Sequence, residues 1–215
     1  MNFKYAVFDL DGTLLDTQKY WDETERIVLE NHFGIDMHHD ENGDFLPFTG
    51  YIDMFDKATK RTGKICDKAV IRKEIYDIMT EQYKSDEIET MPMALEFLKA
   101  LKANGIKAAL ATATPIYMCK PAIEKCGLLP YLDVLLSVED VGKNKYHPDI
   151  FEEAMRRIDG NKEETMVFED ALYAANTLKA YGFRYTIIED PGNIIWREEI
   201  KIGCEKYIKG YGELL

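Results

Sequence analysis

Asp9-Leu10-Asp11-Gly12-Thr13 sets two carboxylates two residues apart, directly after the apolar run Tyr5-Ala6-Val7-Phe8. That run reads as a short buried strand closed by a glycine turn. In extended chain Asp9 and Asp11 fall on one side, while Leu10 points back into the core. Carboxylates held so close repel each other, an arrangement that suits a bound cation, an anionic substrate or both. Aspartates are also ordinary at turns and caps, and for a lone pair that reading is the commoner one. Further residues bear on the choice: Thr112 with Thr114, Lys145 in the loop Gly142–Asp149, and the pair Glu169-Asp170. Singly, Thr112 could cap a helix, Lys145 could be a solvated charge, and Glu169-Asp170 could face a helix dipole. Such coincidences, in order and on successive strand ends, favour one site where acids, a hydroxyl and an ammonium meet.

The elements that must position them follow from periodicity. After Ser85 a helix carries Ala94, Phe97, Leu98 and Leu101 on one face, opens at Pro92 and stops at Asn104-Gly105. Strands are expected at Lys107–Ala111, Val134–Leu136, Met166–Phe168 and Tyr185–Ile188. Helices are expected at Ile116–Lys125, Pro148–Ile158 and Leu172–Tyr181 between and after them. This alternation predicts an α/β fold with a parallel sheet covered on both faces, whose ligands gather beyond the carboxyl ends of the strands. Between Thr17 and Ser85 the pattern is helical throughout. One helix begins near Thr17, a second runs from Gly50 to Arg61, and a third carries Ile71, Ile75, Ile78 and Met79. The expected division is a core of residues 1–16 and 86–215 and a small helical insert of residues 17–85. The crossings near Asp16-Thr17 and Ser85–Thr90 would serve as its hinge.

Composition narrows the function. The chain has 215 residues, 39 acidic against 27 basic, and a net charge of −12. That balance disfavours nucleic acid or an anionic membrane as partner. Cys66, Cys119, Cys126 and Cys204 show no metal-type pairing and are expected to be reduced core thiols. The chain enters a strand at once, with no charged leader and no apolar run of spanning length, so a cytoplasmic protein is expected.

With these residues in place, the chain resembles the haloacid dehalogenase superfamily of phosphotransferases. The likeness runs over nearly its whole length. The family's Asp-x-Asp-x-Thr motif is met by Asp9-Leu10-Asp11-Gly12-Thr13, and its Ser/Thr after a strand by Thr112. Its lysine ahead of a Pro-Asp helix is met by Lys145 before Pro148-Asp149, and its acidic pair by Glu169-Asp170. A helical insert just after the first motif is similar to the cap of the β-phosphoglucomutase and phosphoglycolate-phosphatase branch. The resemblance implies a Rossmann-like core with an inserted cap, and a Mg²⁺-dependent phosphatase acting on a small phosphorylated metabolite as monomer or weak homodimer. It implies Asp9 as the nucleophile that becomes an aspartyl phosphate, and Asp11 as general acid and base. Thr112 and Lys145 would hold the transferring oxygens. Asp9, Asp11 through its backbone carbonyl, and Asp170 would hold the metal, with Glu169 acting at least from behind them. Thr114, Gly50 and Tyr51 are further substrate-binding candidates.

The chain departs from the family at Tyr146, where proline commonly follows the lysine, and at Ala171 and Ala174, where serine and glycine are common. Asp11 sets it apart from the dehalogenases and phosphonate hydrolases, which lack an acid there. No P-loop is present. In the insert, Lys57, Lys60 and Arg61 share a helix face that reads more readily as solvated than as an anion grip. His32, His38 and His39 are too scattered for a metal site. Tyr20 and Trp21 stand evenly between pocket lining and packing. The alternative activity is a β-phosphoglucomutase-like sugar phosphomutase. Those enzymes place a histidine four residues after the hinge threonine and an arginine three residues after a cap glycine. Here these positions hold Trp21 and Asp53, which favours hydrolysis.

Overall fold

A computed structural model of the chain describes residues 1–36 and 51–215, with only the backbone described for 51–53. His38, His39, Gly43, Pro47 and Gly50 lie outside the described residues, as do the side chains of Tyr51 and Asp53. The chain divides into two compact units, one of Met1–Thr17 with Asp86–Leu215 and one of Gln18–Ser85.

The larger unit is built on six strands: β1 (Tyr5–Phe8), β2 (Lys107–Thr112), β3 (Val134–Ser137), β4 (Thr165–Glu169), β5 (Arg184–Ile188) and β6 (Lys206–Ile208). They form one sheet in the order β3-β2-β1-β4-β5-β6, and every pairing is parallel. Residues of β1 are flanked on both sides in one register, Ala6 opposite Ala108 of β2 and Met166 of β4. Connections run outward through β2 and β3, then return to the other side of β1. The carboxyl ends of β1 and β4 therefore sit where strand order reverses, the place where open α/β sheets bind ligands.

Both sheet faces are buried, which is why the strands read as continuous apolar runs rather than alternating ones. On one face Phe8 stacks on Phe168 at 4.5 Å, and both meet Phe97 edge-on. Phe97 lies on the helix Ala94–Ala103 and itself stacks on Tyr211 at 5.0 Å. On the other face Val7, Ala109, Ala111 and Val167 pack with Phe151, Ala154, Ala174 and Ala175. The alternation of Val7 and Phe8 between the two clusters is the period of a strand.

The helices of this unit match the expected places to within a residue or two. The first begins at Ala94 rather than Pro92, because Met93 before it is left-handed (φ 63°). Beyond the pattern lie β6, the four-residue helices Val138–Val141 and Arg197–Ile200, and the 3-10 turns Leu129–Tyr131, Ile194–Trp196 and Tyr211–Leu214. The smaller unit contains α1 (Gln18–Phe33), α2 (Tyr51–Thr62) and α3 (Lys68–Lys84) and, among the described residues, no strand. Of the four cysteines, none is in a disulfide and only Cys119 is buried; the other three are partly exposed, so the expectation of core thiols holds for one. Among the described residues no helix is long and apolar enough to cross a membrane.

Candidate functional site

The site is assembled where β1 stops. Asp9 still donates its backbone N–H to Phe168 O (3.0 Å), so the β1–β4 ladder fixes its backbone. The next residues do not stay extended. Leu10 O accepts the N–H groups of Thr13 (3.2 Å), Leu14 (2.8 Å) and Leu15 (2.8 Å), closing a tight turn. Gly12 sits in it at φ 75°, a conformation side-chain-bearing residues rarely adopt. Leu10 is buried, as the alternation predicts, and the Asp11 charge acts on Asp9. After the turn, Leu14–Asp16 runs beside Glu89–Met91, with Asp16 N donating to Glu89 O and Met91 N to Leu14 O. The chain thus leaves and re-enters the larger unit through two bonded segments.

Asp11 is gripped by two hydroxyls, Thr17 Oγ1 on Oδ1 (2.6 Å) and Thr114 Oγ1 on Oδ2 (2.7 Å). Thr114 is therefore turned to Asp11. Its own backbone N–H donates to Thr112 Oγ1 (3.0 Å), which ties the loop after β2 to the strand end. Thr112 is fully buried.

Lys145 lies in the interior, 1% exposed, and its Nζ donates to Asp9 Oδ1 and to Glu169 Oε1 (2.7 Å). Burial alone would lower the ammonium's pKa, but the Asp9 and Glu169 carboxylates outweigh it and raise it, so Lys145 stays charged. Removing several kcal/mol of hydration from each ion is tolerable only with such multiple bonding. Glu169 is fixed further, its Oε2 accepting the backbone N–H groups of Asp170 (2.9 Å) and Ala171 (3.0 Å). Asp170 Oδ1 accepts from Thr13 Oγ1 (3.1 Å), and Thr13 O in turn accepts from the buried Tyr211 hydroxyl (3.2 Å). Burial pushes the Asp9 carboxyl up to about 7, with Lys145 pulling the other way. Asp170 is raised as well, first by burial and then by the neighbouring Asp190.

Oxygens of Asp9, Glu169 and Asp170 all lie within 4.8 Å of one another. The trio offers only hard carboxylate oxygens, with no thiolate or imidazole, and is buried. Those are donors that suit Mg²⁺ rather than zinc or copper. The residues present fit that ion. The Asp11 carboxylate stands outside the trio, bonded to its two threonines.

Tyr146, in the place where proline was expected, stacks on Tyr173 at 4.9 Å. An aromatic contact thus holds the loop carrying Lys145. Sequence reasoning passed over the hydroxyls of Thr13 and Thr17, and also Asp190 and Asn193 after β5. The strand-end rule that found Glu169-Asp170 would have found Asp190, since β5 ends only two residues before it.

Within the smaller unit, Lys57, Lys60 and Arg61 are exposed. His32 Nε2 pairs with Glu74 Oε2 at 2.5 Å. Trp21 Nε1 is buried and finds no acceptor among the described residues. Gly50 and the Tyr51 side chain lie outside the described residues, so they are not placed relative to any of these groups.

Comparison with known proteins agrees with this geometry. A family model of haloacid dehalogenase-like hydrolases matches residues 3–182. The pyrophosphatase PpaX of Bacillus mycoides is 28% identical over 174 residues, 79% of this chain and 76% of that protein. A phosphorylated carbohydrates phosphatase of Thermotoga maritima is 27% identical over 181 residues, 82% of this chain and 81% of that one. The crystal structure of CbbY from Rhodobacter sphaeroides in complex with phosphate has the same fold, with a TM-score of 0.81, 21% identity, and coverage of 99% and 96% of the two chains.

Proposed function

The chain belongs to the haloacid dehalogenase-like hydrolases and is a phosphatase-type enzyme, and on that premise we propose that it hydrolyses a small phosphorylated metabolite through an aspartyl phosphate on Asp9, with Mg²⁺ as cofactor. One observation carries the reading: a buried ammonium, Lys145, held between the would-be nucleophile Asp9 and Glu169, with Asp170 completing the acidic trio.

Asp9 attacks phosphorus, and one hard displacement becomes two easier ones. Asp11 protonates the leaving alkoxide, then takes a proton from the water that opens the aspartyl phosphate. The hydroxyls of Thr17 and Thr114 hold both of its oxygens and so aim it. Thr112 and Lys145 hold the transferring oxygens, and the ammonium opposes the charge developing on them. Bound Mg²⁺ would offset the repulsion between a carboxylate nucleophile and a phosphate dianion; Asp9, Asp170 and the Asp11 carbonyl would hold it, with Glu169 behind them. Residues 17–85 serve as the cap domain and residues 1–16 and 86–215 as the core domain, and the enzyme works in the cytoplasm.

The test is a panel of phosphorylated metabolites read by phosphate release, repeated with chelator and with Mg²⁺ restored. Release that needs Mg²⁺ supports the reading; full release in excess chelator contradicts it. Hydrolysis rather than mutase chemistry is tested with β-glucose 1-phosphate and a bisphosphate primer, followed by phosphorus NMR. Inorganic phosphate should form faster than glucose 6-phosphate, and the reverse order would overturn it.

A further inference from the structure

Thr13 joins the turn after β1 to the acidic pair after β4. Its backbone N–H donates to Leu10 O, which closes the turn, and its hydroxyl donates to Asp170 Oδ1 at 3.1 Å. Its backbone carbonyl accepts from the hydroxyl of Tyr211 at 3.2 Å, from the other end of the chain. Thr13 and Tyr211 are both fully buried.

Packing alone does not call for a phenol at position 211. The ring lies among Phe8 (6.2 Å), Phe97 (5.0 Å) and Phe168 (5.9 Å), apolar surroundings that a phenylalanine would fill as well. A hydroxyl buried there is unfavourable unless it is bonded, and Thr13 O is the partner it finds. The backbone beneath the ring is fixed too. Tyr211 N donates to Pro92 O at 3.0 Å, and a Cβ on Gly210 would fall 3.0 Å from the Pro92 Cβ, so the two segments touch. Met91, next to that proline, donates its N–H to Leu14 O. Tyr211 thus reaches Thr13 from a segment tied to the chain that flanks the turn, and its hydroxyl is aimed rather than free to swing.

We propose that Tyr211 is a positioning residue for phosphoryl transfer, its hydroxyl setting the Thr13 peptide and, through the Thr13 hydroxyl, the Asp170 carboxylate beside Asp9. The inference rests on the reading of Asp9 as the nucleophile. It makes turnover depend on the last segment of the chain, outside the four family motifs.

The experiment uses Tyr211→Phe, which keeps the ring and removes the hydroxyl, with Thr13→Val, the double variant and Asp9→Asn beside it. On a generic aryl phosphate at saturating Mg²⁺, below every melting temperature, Tyr211→Phe should lower kcat about 5- to 30-fold and leave KM within about twofold. The double variant should lose less than the product of the two single losses, because both act through Thr13. In the metal-free protein, amide exchange at residues 12–15 should quicken about tenfold while that of β2 and β5 stays as in wild type. A kcat within about twofold of wild type in Tyr211→Phe, or losses that multiply in full, would overturn this inference alone. Exchange that quickens equally throughout the sheet, or a Tyr211→Phe chain that does not fold, would assign the hydroxyl to the fold and also refute the proposal. Full turnover by Asp9→Asn would instead overturn the reading beneath it.

Discussion

Both units bury carboxylates, and they give them different partners. In the larger unit Asp9 and Glu169 share the ammonium of Lys145, and Glu169 and Asp170 accept further hydrogen bonds. In the helical unit Glu25 of α1 is 7% exposed, and the charge that acts on it is another carboxylate, Asp22. Burial first, then Asp22, pushes Glu25 up to about 8, so it is largely protonated at neutral pH. Burial raises the carboxyls of both units, but in the larger unit the Lys145 ammonium, brought from a distant strand end, pulls Asp9 back. Glu25, with no cation acting on it among the described residues, is neutralised by a proton and becomes a stability term.

The sharpest way to break this comparison is to disarm the larger unit without disturbing its packing. Asp11→Asn should lower kcat about 10²- to 10⁴-fold on a generic aryl phosphate, with an unchanged melting curve. A loss smaller than tenfold would remove Asp11 from acid–base work. Next in size is the helical unit's own term. Below the unfolded pKa of about 4.5 Glu25 is protonated folded or unfolded; between there and about 8 the folded state alone keeps its proton. Stability should therefore fall as pH rises through that window. Glu25→Gln should flatten the fall and add about 2–4 kcal/mol at pH 8, measured by urea unfolding across the range. A pH slope equal to that of wild type would contradict the assignment.

How much of this was legible follows the same division. Lys145 stood out by its place ahead of Pro148-Asp149. Asp9 and Glu169-Asp170 stand out because each ends an apolar run, and strand ends converge in a parallel sheet whatever the loops do. The order of strands and helices after Ser85 was legible for the same reason. Strand β6 was not: Lys206-Tyr207-Ile208 is too short to show a period, and pairing with β5 creates it. The glycine turn after β1 was legible, but the two hydroxyls that hold Asp11 beyond it were not, because alternation along a strand says nothing once the strand has ended. Glu25 was invisible: on a charged helix, one acid among several gives no sign of which is buried.

Smaller effects refine the account of the larger unit. Thr114→Val removes one of the two hydroxyls on Asp11 and should cost about 10- to 100-fold in kcat, the worth of a hydrogen bond to a charged group. An effect confined to KM would return Thr114 to substrate binding. Tyr146→Ala strips the stack on Tyr173 and should cost only about 2- to 10-fold in kcat/KM, on the scale of one aromatic pair. Tyr146→Phe should behave as wild type, and a large loss in that variant would point to the hydroxyl instead.

The central claim is that Asp9 carries the phosphoryl group. Enzyme turning over an aryl phosphate with Mg²⁺ is quenched with borohydride, which reduces an aspartyl phosphate to homoserine, and the digested chain is sequenced by mass spectrometry. The account predicts homoserine at position 9, dependent on substrate and absent from an inactive Asp9→Asn variant. Steady turnover with position 9 unmodified, or with the reduction at another carboxylate, would contradict it.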